Sequence, residues 1–359
     1  MEKWNEYKLG DVLTIKYGKD HKQIADGDVP IYGSGGIMRY GERSLYDGPS
    51  ILIPRKGSLN NILFADKPFW TVDTMFWTII HEDIANPLFV YYSICKKDFA
   101  SLNVGSAVPS LTVPVIEDID ILLPSRGTQD KVVAVLKSLD DKIEVNRQIN
   151  DNLEQQAQAL FKSWFVNFEP FKDGEFVESE LGMIPKGWRV GTLGELIDIK
   201  YGKDHKKLTE GCYPVYGSGG LMKYVEKSLY SGESVLIPRK GTLNNVMYVN
   251  EAFWTVDTMF YSIPKVDNIM LFVFIYLINR DLASLNAGSA VPSMTTEILN
   301  NMKIVVPSDN IINDFNTMVY TLYTAIRNNN DESRRLATLR DTLLPKLMSG
   351  ELKVNEVEI

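Results

Sequence analysis

Short basic loops hold the side chains in this chain that are best suited to chemistry. Lys19-Asp20-His21-Lys22 and Arg55-Lys56 both stand beside glycine. Arg and Lys suit phosphate groups and the edge of guanine, and a short Asp can accept a hydrogen bond from cytosine. Neighbouring glycines let backbone N–H groups approach a phosphate closely. These residue types favour recognition by charge and hydrogen bonding.

Motifs of catalysis are missing from the sequence. It contains no GxxxxGK[ST] phosphate loop, no GxGxxG fingerprint and no HExxH. Gly33-Ser34-Gly35-Gly36 is too short for a nucleotide fingerprint and predicts a tight turn. Asn86-Pro87-Leu88-Phe89 is one residue from the Asn-Pro-Pro-Phe motif of adenine methyltransferases, but its counterpart at 268–272 lacks the proline. A helix start explains the Asn-Pro pair, so we expect no enzyme activity from the chain alone.

The basic loops occur twice. The segment IKYGKDH at residues 15–21 returns at 199–205, 184 residues later. At the same shift, ILIPRKGSLNN is nearly repeated, and FWTVDTMF is repeated letter for letter from Phe69 and from Phe253. A period this long is that of a domain rather than of a solenoid unit. We therefore expect two domains that fold alike and bind alike, which suits a target that itself occurs twice.

Composition sets the class of protein. The 359 residues, 45 % of them hydrophobic, are ample for two cores. No stretch approaches 18 apolar residues and the chain opens on a polar segment, so we expect neither a membrane span nor a signal peptide. Cys95 and Cys212 are not equivalent in the repeat and show no CxxC spacing, which argues against a disulfide framework and zinc. The cytoplasm is the expected compartment.

The first part of each copy is rich in glycine and turns. In the first copy, at about 3–125, short β-type runs lie at 50–53, 75–80 and 119–123. The pattern predicts a compact α+β domain, mostly antiparallel sheet. A helix is predicted from Pro87 to Phe99, with an inward face formed by Leu88, Tyr91, Tyr92 and Cys95.

The second part of each copy has apolar positions that step by four and three. This heptad seam is typical of long helices that pair lengthwise. Asn146 and Asn329 fall on it in both copies; a lone asparagine there commonly fixes register and orientation, with a coincidental polar position as the alternative. The other seam positions are Val132, Leu136, Leu139, Ile143, Leu153, Ala157 and Leu160, and in the second copy Phe315, Val319, Leu322, Ile326, Leu336, Arg340 and Leu343.

These patterns divide the chain into six segments. A polar linker punctuated by glycine and proline separates the copies, and Trp188 then restarts the pattern begun at Trp4. The segments are a first recognition domain (1–127), a long helix (128–166), the linker (167–187), a second recognition domain (188–308), a second long helix (309–350) and a tail (351–359).

The whole chain resembles the specificity subunit of a type I restriction-modification system. The resemblance rests on tandem domains each followed by a long helix, on IPKGW at 184–188, on LFKSWF at 160–165, on LLPKLMSG at 343–350, and on the Asp141-Lys142-Ile143 to Asn146 stretch. It implies an α+β fold of two α/β target-recognition domains separated by two long antiparallel coiled-coil helices, with a pseudo-two-fold internal repeat. The family often pairs unrelated recognition domains, whereas the two here are near-duplicates.

The resemblance also implies partners. The chain is expected to be a non-catalytic subunit that binds double-stranded DNA and directs adenine methylation or cleavage by two methyltransferase subunits and by restriction subunits. No cofactor is expected on the chain itself; S-adenosylmethionine, ATP and Mg are expected on the partners. A two-helix seam buries only one stripe, so Phe161, Trp164 and Phe165 are predicted to contact these partners.

Charge locates the predicted DNA face, although the net charge of −8 is unusual for a DNA-binding protein. Residues 15–61 carry seven Lys or Arg against five Asp or Glu, and residues 199–245 carry eight against four. An ordinary mixed surface is the alternative. The stretch 103–112 stays divided between a DNA loop and a structural turn, while core packing is favoured for FWTVDTMF. The predicted DNA-binding residues are Lys19, Asp20, His21, Lys22, Tyr32, Ser34, Arg39, Arg55 and Lys56, with Lys203, Asp204, His205, Lys206, Tyr216, Ser218, Lys223, Arg239 and Lys240 in the second copy.

The helices predict the shape of the target. A helix of roughly 36 residues is about 54 Å long, more than the roughly 34 Å of one DNA turn. Antiparallel packing would hold the recognition domains at opposite ends, so we expect a bipartite target with an unread spacer. Near-identical domains related by a two-fold axis predict half-sites that form an inverted repeat.

Two other classes of protein fit parts of the sequence. A self-contained DNA-modifying enzyme would need a cofactor site, and none is found. A duplicated-domain scaffold that binds protein or glycan would explain the repeat. Salt-dependent binding to duplex DNA separates the scaffold from the DNA-recognition subunit.

Overall fold

The computed structural model describes residues 3–105, 108–286 and 292–357. It divides into two compact units. The first unit comprises residues 1–145 and 332–359, and the second comprises residues 146–331. Each unit therefore holds one recognition domain together with one segment from each of the two long helices.

Antiparallel sheet dominates the first unit. Its strands are β1 (Asn5–Lys8), β2 (Leu13–Tyr17), β3 (Val29–Gly33), β4 (Gly36–Gly41), β5 (Ser50–Pro54), β6 (Leu63–Ala65), β7 (Trp70–Thr71), β8 (Met75–Ile80) and β9 (Asp120–Leu123). One sheet has the order β2-β8-β5-β6, a second has the order β4-β3-β7, and β1 pairs with β9. The strands expected at 50–53, 75–80 and 119–123 are confirmed as β5, β8 and β9.

The helices of the first unit are short apart from its share of the first long helix. They are α1 (Leu9–Val12), α2 (Pro87–Ile94), α3 (Val113–Glu117) and the first half of α4 (Arg126–Phe165), and the unit also holds residues 332–348 of the second long helix. Asn86 caps α2, because its side chain accepts hydrogen bonds from the N–H of Leu88 at 2.9 Å and of Phe89 at 3.3 Å. The Asn-Pro pair is therefore a helix start, as predicted.

The predicted extent and inward face of α2 need correction. The helix ends at Ile94, and Asp98 caps a separate 3-10 turn that buries Phe99. The chain turns before Phe99 so that this ring can enter the core. Leu88, Tyr91 and Cys95 are only half-buried, whereas Tyr92 is buried as expected. The helix packs on both the sheet and α4, so residues outside the predicted face are buried as well, namely Phe89, Val90 and Ile94.

The second unit repeats this plan with a continuous sheet. Its strands are β10 (Phe176–Ser179), β11 (Gly182–Pro185), β12 (Arg189–Thr192), β13 (Ile197–Tyr201), β14 (Tyr213–Gly217), β15 (Gly220–Val225), β16 (Tyr230–Pro238), β17 (Met247–Thr255), β18 (Met259–Pro264) and β19 (Lys303–Val306). The main sheet has the order β13-β18-β16-β17-β14-β15. Strand β17 spans the positions of β6 and β7, and so joins the two sheets that are separate in the first unit. The predicted linker contains the hairpin β10–β11.

The two long helices have the same length and equivalent positions in the repeat. The helices of the second unit are α5 (Leu193–Leu196), α6 (Met270–Ile278), α7 (Thr296–Asn300) and the first half of α8 (Asp309–Met348). Helices α4 and α8 each have 40 residues and are 183 residues apart. Among the described residues, no helix is long and apolar enough to cross a membrane.

The long-helix segments run antiparallel within each unit, as the seam predicts. In the first unit Asp140 pairs with Arg340 at 2.6 Å and Lys142 pairs with Glu332 at 3.3 Å. In the second unit Asn150 bonds to Asn330 at 2.9 Å. Further along α4, Phe161 stacks on Phe315 with ring centroids 6.0 Å apart. A higher residue number on α4 thus goes with a lower residue number of its partner on α8, which is the pattern of antiparallel helices.

The end of each long helix completes a domain core, and this corrects the prediction for Phe161, Trp164 and Phe165. Phe161 is 5 % exposed and Phe165 is 7 % exposed, both within the core of the second unit. Trp164 is half-buried, and its ring lies 6.0 Å from that of Phe315. The seam argument failed here because α6 and the start of α8 cover these side chains. Phe161 and Phe165 were therefore wrongly predicted as a free docking surface, whereas the partner contact of Trp164 stays a prediction.

The first unit shows the corresponding arrangement. Leu344 and Leu347, from the end of α8, are 4 % and 1 % exposed in the core of the first recognition domain. Gly350 follows them with φ of +74° against the Trp4 ring. Each recognition domain is therefore completed by the end of the helix that follows the other domain in sequence.

Candidate nucleic-acid interface

One short segment, Thr71 to Thr74, positions the predicted DNA-binding loops of the first domain. Thr71 and Val72 are buried, which confirms core packing for this repeated motif. The N–H of Lys19 donates to the Thr71 carbonyl at 2.9 Å, and the N–H of Arg55 donates to the Thr74 carbonyl at 2.8 Å. The N–H of Val72 in turn donates to the Tyr32 carbonyl at 3.0 Å. Loops distant in sequence are thereby held side by side.

The second domain uses the same anchor, Thr255 to Thr258. Lys203 donates to the Thr255 carbonyl at 2.9 Å, and Arg239 donates to the Thr258 carbonyl at 2.8 Å. The N–H of Val256 donates to the Tyr216 carbonyl at 3.1 Å. Because these bonds involve the backbone, the loop positions depend on the fold and are the same in both domains.

Arg55 forms the centre of a cationic and aromatic cluster. Its Nη1 donates to the carbonyl of Asp73 at 3.1 Å, and its guanidinium lies 5.5 Å from the centroid of the Tyr17 ring. Tyr17 is 56 % exposed and rests edge-on against Phe76 at 5.1 Å. An exposed ring under a fixed guanidinium offers both a stacking surface and a positive charge, which suits nucleic acid.

Arg239 repeats this cluster closely. Its Nη1 donates to the carbonyl of Asp257 at 3.0 Å, and its guanidinium lies 5.3 Å from the Tyr201 ring. Tyr201 is 52 % exposed. Tyr17 and Tyr201 were not among the predicted residues, although both stand in the repeated IKYGKDH segment. An exposed tyrosine just before the basic residues was the available signal.

The loop from Gly18 to Lys22 presents exposed charges on a tight backbone. A side chain at Gly18 would place Cβ 2.0 Å from the Val72 carbonyl oxygen, so only glycine fits. The N–H of Lys22 donates to the Asp20 carboxylate at 3.0 Å and lowers the pKa of that carboxyl below its usual range. Asp20 is therefore ionised at neutral pH and able to accept from a base amino group. Lys19 and Lys22 are exposed, as are their counterparts Lys203, Asp204 and Lys206.

Arg39 has a structural role that the sequence did not indicate. Its Nη2 donates to the carbonyls of His21 at 2.6 Å and Ile24 at 2.8 Å, and its Nη1 pairs with Asp26 at 3.1 Å. Its Nε also lies 3.3 Å from Nδ1 of the half-buried His21. The guanidinium is occupied in closing the 21–26 loop, so we assign Arg39 to positioning that loop.

The second domain has a different residue at the position of Arg39. Lys223 replaces Arg39 and is exposed, and within the described residues its side chain makes no hydrogen bond or ion pair. His205 is half-buried like His21. The backbone of the loop is nonetheless kept, since the N–H of Leu208 donates to the His205 carbonyl at 3.1 Å. The two faces thus share their geometry but differ in side-chain chemistry here.

The turn after β3 meets the second basic loop. The side chain of Asn61 donates to the Ser34 carbonyl at 2.8 Å, and a Cβ at Gly57 would lie 3.0 Å from Ser34 Oγ. This contact brings Ser34 beside Lys56, which is exposed. Asn245 and Ser218 repeat the bond at 2.8 Å, beside the exposed Lys240.

Tyr32 and Tyr216 lie at the rim of these faces, and both are half-buried. Burial raises the pKa of Tyr32, so its hydroxyl stays protonated at neutral pH. The hydroxyl of Tyr216 donates to Glu251 at 2.8 Å. Lys67 stands at the position of Glu251 in the first domain, so the two tyrosines have different surroundings.

The described parts of the 103–112 stretch are anchored as structural turns. The N–H of Leu111 donates to the Arg55 carbonyl at 2.9 Å, and the N–H of Ser110 donates to the Asn103 side chain at 2.8 Å. Residues 106–107 and, in the second copy, 287–291 lie outside the described residues. The bond from Leu111 gives the Arg55 loop a second backbone anchor, in addition to the one from Thr74.

The residues that these contacts bring together form what we call the recognition face of each domain. In the first domain it comprises Tyr17, Lys19, Asp20, Lys22, Tyr32, Ser34, Arg55 and Lys56. In the second it comprises Tyr201, Lys203, Asp204, Lys206, Tyr216, Ser218, Arg239 and Lys240.

Known proteins with the same organisation identify the family. The family profile described as type I restriction modification DNA specificity domain matches residues 1–155 and again 185–329. The type I restriction enzyme MjaIX specificity subunit of Methanocaldococcus jannaschii is 27 % identical, over 99 % of this chain and 94 % of its own length. The HindI specificity subunit of Haemophilus influenzae is 23 % identical, over 98 % of this chain and 100 % of its own.

A solved structure shares the fold. The crystal structure of a type I restriction-modification S subunit from M. genitalium superimposes with a TM-score of 0.60 at 18 % identity, covering 97 % of this chain and 96 % of that one. The matched profile covers both copies of the repeat and most of the chain. This protein belongs to the family of type I restriction-modification DNA specificity subunits.

Proposed function

We propose that the chain is the DNA-recognition subunit of a type I restriction-modification complex, and that each domain reads one half of a bipartite target. The supporting observation is the duplicated recognition face, in which Arg55 over Tyr17 and Arg239 over Tyr201 are held by the same backbone anchors. Two equal surfaces on one chain fit a target with two equal parts.

The exposure and the hydrogen bonds of each residue on the recognition face indicate its role in DNA binding. Lys19, Lys22 and Lys56 are exposed cations suited to phosphates, and they set position rather than sequence. Arg55 is fixed by the Asp73 carbonyl and the Tyr17 ring, and so loses little freedom when it contacts a base edge. Asp20 supplies an ionised acceptor on the same face.

Length and direction of the helices support a fixed spacer. Each 40-residue helix is about 60 Å long at 1.5 Å per residue. Helix segments that run antiparallel in each unit favour half-sites on opposite strands, so the target is an inverted repeat across an unread spacer.

Partner subunits complete the proposed complex. Two methyltransferase subunits would carry S-adenosylmethionine and modify an adenine in each half-site, and restriction subunits would carry ATP and Mg. The chain's own contribution is recognition. We expect these partners to contact surface other than Phe161 and Phe165, whose side chains are buried in the core of the second unit.

The test is salt-dependent binding of the full chain to duplex DNA, alone and with a co-expressed methyltransferase. Arg55→Ala should weaken binding to a selected target by about 1–3 kcal/mol if the side chain contacts a base. Lys56→Ala should instead weaken all sequences equally and reduce the salt slope by about one. Arg189→Ala, which removes an exposed arginine paired with Glu195 at the start of the second domain, is the matched control. Binding of the wild-type chain that lacks sequence preference and salt dependence contradicts the proposal and favours a protein- or glycan-binding scaffold.

A further inference from the structure

Strand β4 exposes a row of apolar side chains next to the recognition face. Ile37, Met38 and Tyr40 are 49 %, 59 % and 50 % exposed. Single exposed apolar residues are common on protein surfaces, but three within four positions of one strand are not. We refer to Ile37, Met38 and Tyr40 as the apolar row of the first domain.

The second domain carries the same row on β15. Leu221, Met222 and Tyr224 are 48 %, 55 % and 37 % exposed. Nearby positions have changed between the copies, including Arg39, which is Lys223 in the second. Both rows have kept their chemistry and exposure, so we treat them as one feature that occurs twice.

A bulge places the methionine within each row. In the β3–β4 pair, Ile31 lies opposite Arg39 and Tyr32 opposite Ile37, which leaves Met38 without a cross-strand partner. The side chain of Met38 lies across Gly33, where an added Cβ would be 2.5 Å from the Met38 sulfur. Bulges redirect side chains and recur next to functional sites.

The bulge is repeated with little change. Met222 is the unpaired residue of the β14–β15 pair, and a Cβ at Gly217 would lie 2.6 Å from its sulfur. A flexible thioether resting on a bare glycine can adapt to a neighbouring surface.

Each apolar row lies on an edge strand, where exposed apolar side chains promote association with other chains. Strands β4 and β15 are edge strands. An exposed apolar edge strand invites pairing with other chains, and proteins usually protect such edges with charge, proline or covering loops. Two uncovered edges of this kind call for a binding partner.

Neighbouring charges identify the partner as a polyanion. The turn that joins β3 to β4 contacts Gly57 through Ser34, which brings the tip of the ribbon that carries the row to the loop of Arg55 and Lys56. The major groove of DNA admits a two-stranded antiparallel ribbon, phosphates line its edges, and its apolar groups are the C5-methyl groups of thymine. A cationic surface with an apolar strip matches that groove.

We propose that the β3–β4 and β14–β15 ribbons enter the major groove and that Met38 and Met222, with their apolar neighbours, contact thymine methyl groups in each half-site. The inference rests on the proposed DNA-recognition function and specifies how it is carried out. It assigns direct base readout to residues outside the basic loops.

Deoxyuridine provides the test, because it pairs like thymidine but lacks the C5-methyl group. The probe is the duplex that the full wild-type chain selects from a random-sequence library, with thymines replaced by deoxyuridine one position at a time. One thymine in each half-site should be sensitive, with affinity falling about fourfold for the methyl group lost.

Variants assign the contact to the row. Met38→Gln should weaken binding and abolish sensitivity to deoxyuridine in one half-site only, while the other half-site stays sensitive. Met222→Gln should do the reverse. Met183→Gln is the matched control, since Met183 is also 55 % exposed but lies on β11 in the linker hairpin.

Three outcomes would contradict different parts of the proposal. A wild-type chain that selects no sequence contradicts the proposed function itself. A selected sequence whose affinity is unaffected by deoxyuridine overturns the thymine contact. Unchanged affinity in Met38→Gln and Met222→Gln, with a smaller oligomer in light scattering, would show instead that the rows join copies of the chain.

Discussion

Asn146 and Asn329 occupy the same position in the two copies, and they contact each other. The side-chain N–H of Asn146 donates to the carbonyl of Asn329 at 3.4 Å. In an antiparallel helix pair, equivalent residues meet only where the helices cross at their common centre. Asn150 extends this polar layer, donating to Asn330 at 2.9 Å and accepting from Asn329 at 2.8 Å. The layer fixes the register of the helices within the second unit, as expected of seam asparagines.

Replacing Asn150 tests that role. Asn150→Ala removes partners from two amide side chains in the seam, and should destabilise the helix pair by about 1–3 kcal/mol. The midpoint of urea unfolding measures the loss. Asn152→Ala is the control, since Asn152 is exposed and, among the described residues, its side chain bonds within its own helix, to Gln156. Equal midpoints for both variants would contradict a register role for Asn150.

Completion of the first domain by the end of α8 makes a second prediction. Leu347 is 1 % exposed in that core, so Leu347→Ala should destabilise the first unit by about 2–5 kcal/mol. Hydrogen exchange should lose protection in the first recognition domain and keep it in the second. Leu339→Ala, on the same helix but 42 % exposed, should change little. Lost protection confined to the second domain would refute this account of the core.

Asp140 and Arg340 form a polar contact that the other unit lacks. Asp140 accepts from Arg340 at 2.6 Å and from the Tyr92 hydroxyl at 2.6 Å. Burial and this bond raise the pKa of Tyr92 far above its ordinary value, so it remains a donor. The equivalent positions of Asp140 and Arg340 are Tyr323 and Ala157. The chemistry of the helix pair therefore differs between the units.

A double-mutant cycle measures this contact. Asp140→Ala should destabilise the first unit by about 1–3 kcal/mol, because it leaves the Tyr92 hydroxyl and one side of Arg340 without an acceptor. Arg340→Ala in the Asp140→Ala background should cost little more, giving a coupling of about 1 kcal/mol. Additive effects in urea unfolding would show that the pair contributes no specific interaction.

Helix length should set the spacer of the target. Deleting one heptad at equivalent positions of α4 and α8 shortens each helix by about 10.5 Å, or about 3 base pairs of DNA. The selected spacer should shorten by that amount while both half-sites keep their sequence. Selection from a random-sequence library reads both at once. An unchanged spacer would show that helix length does not set it.

Local patterns in the sequence predicted most of the fold. The repeat predicted two domains, the seam predicted α4 and α8, and Asn86-Pro87 marked a helix start. What failed was long-range packing. The seam pattern does not show that α6 covers Phe161 and Phe165, because that cover comes from residues more than a hundred positions away. The role of Arg39 in closing the 21–26 loop was missed for the same reason, since two of its partners are backbone carbonyls, which carry no sequence signal. The apolar row was missed because the exposure of apolar side chains on an edge strand has no signal in the sequence.

The duplicated recognition face predicts that both domains recognise the same short DNA sequence, on opposite strands. Mapping methylated adenines in a host that carries the complete system tests it most directly. The account predicts two half-sites that are one short sequence and its inverted repeat, separated by a fixed spacer, with an adenine methylated on each strand. Small departures are expected where the copies differ next to the recognition faces, as at Arg39 and Lys223. Two half-sites with no inverted relationship would contradict the account.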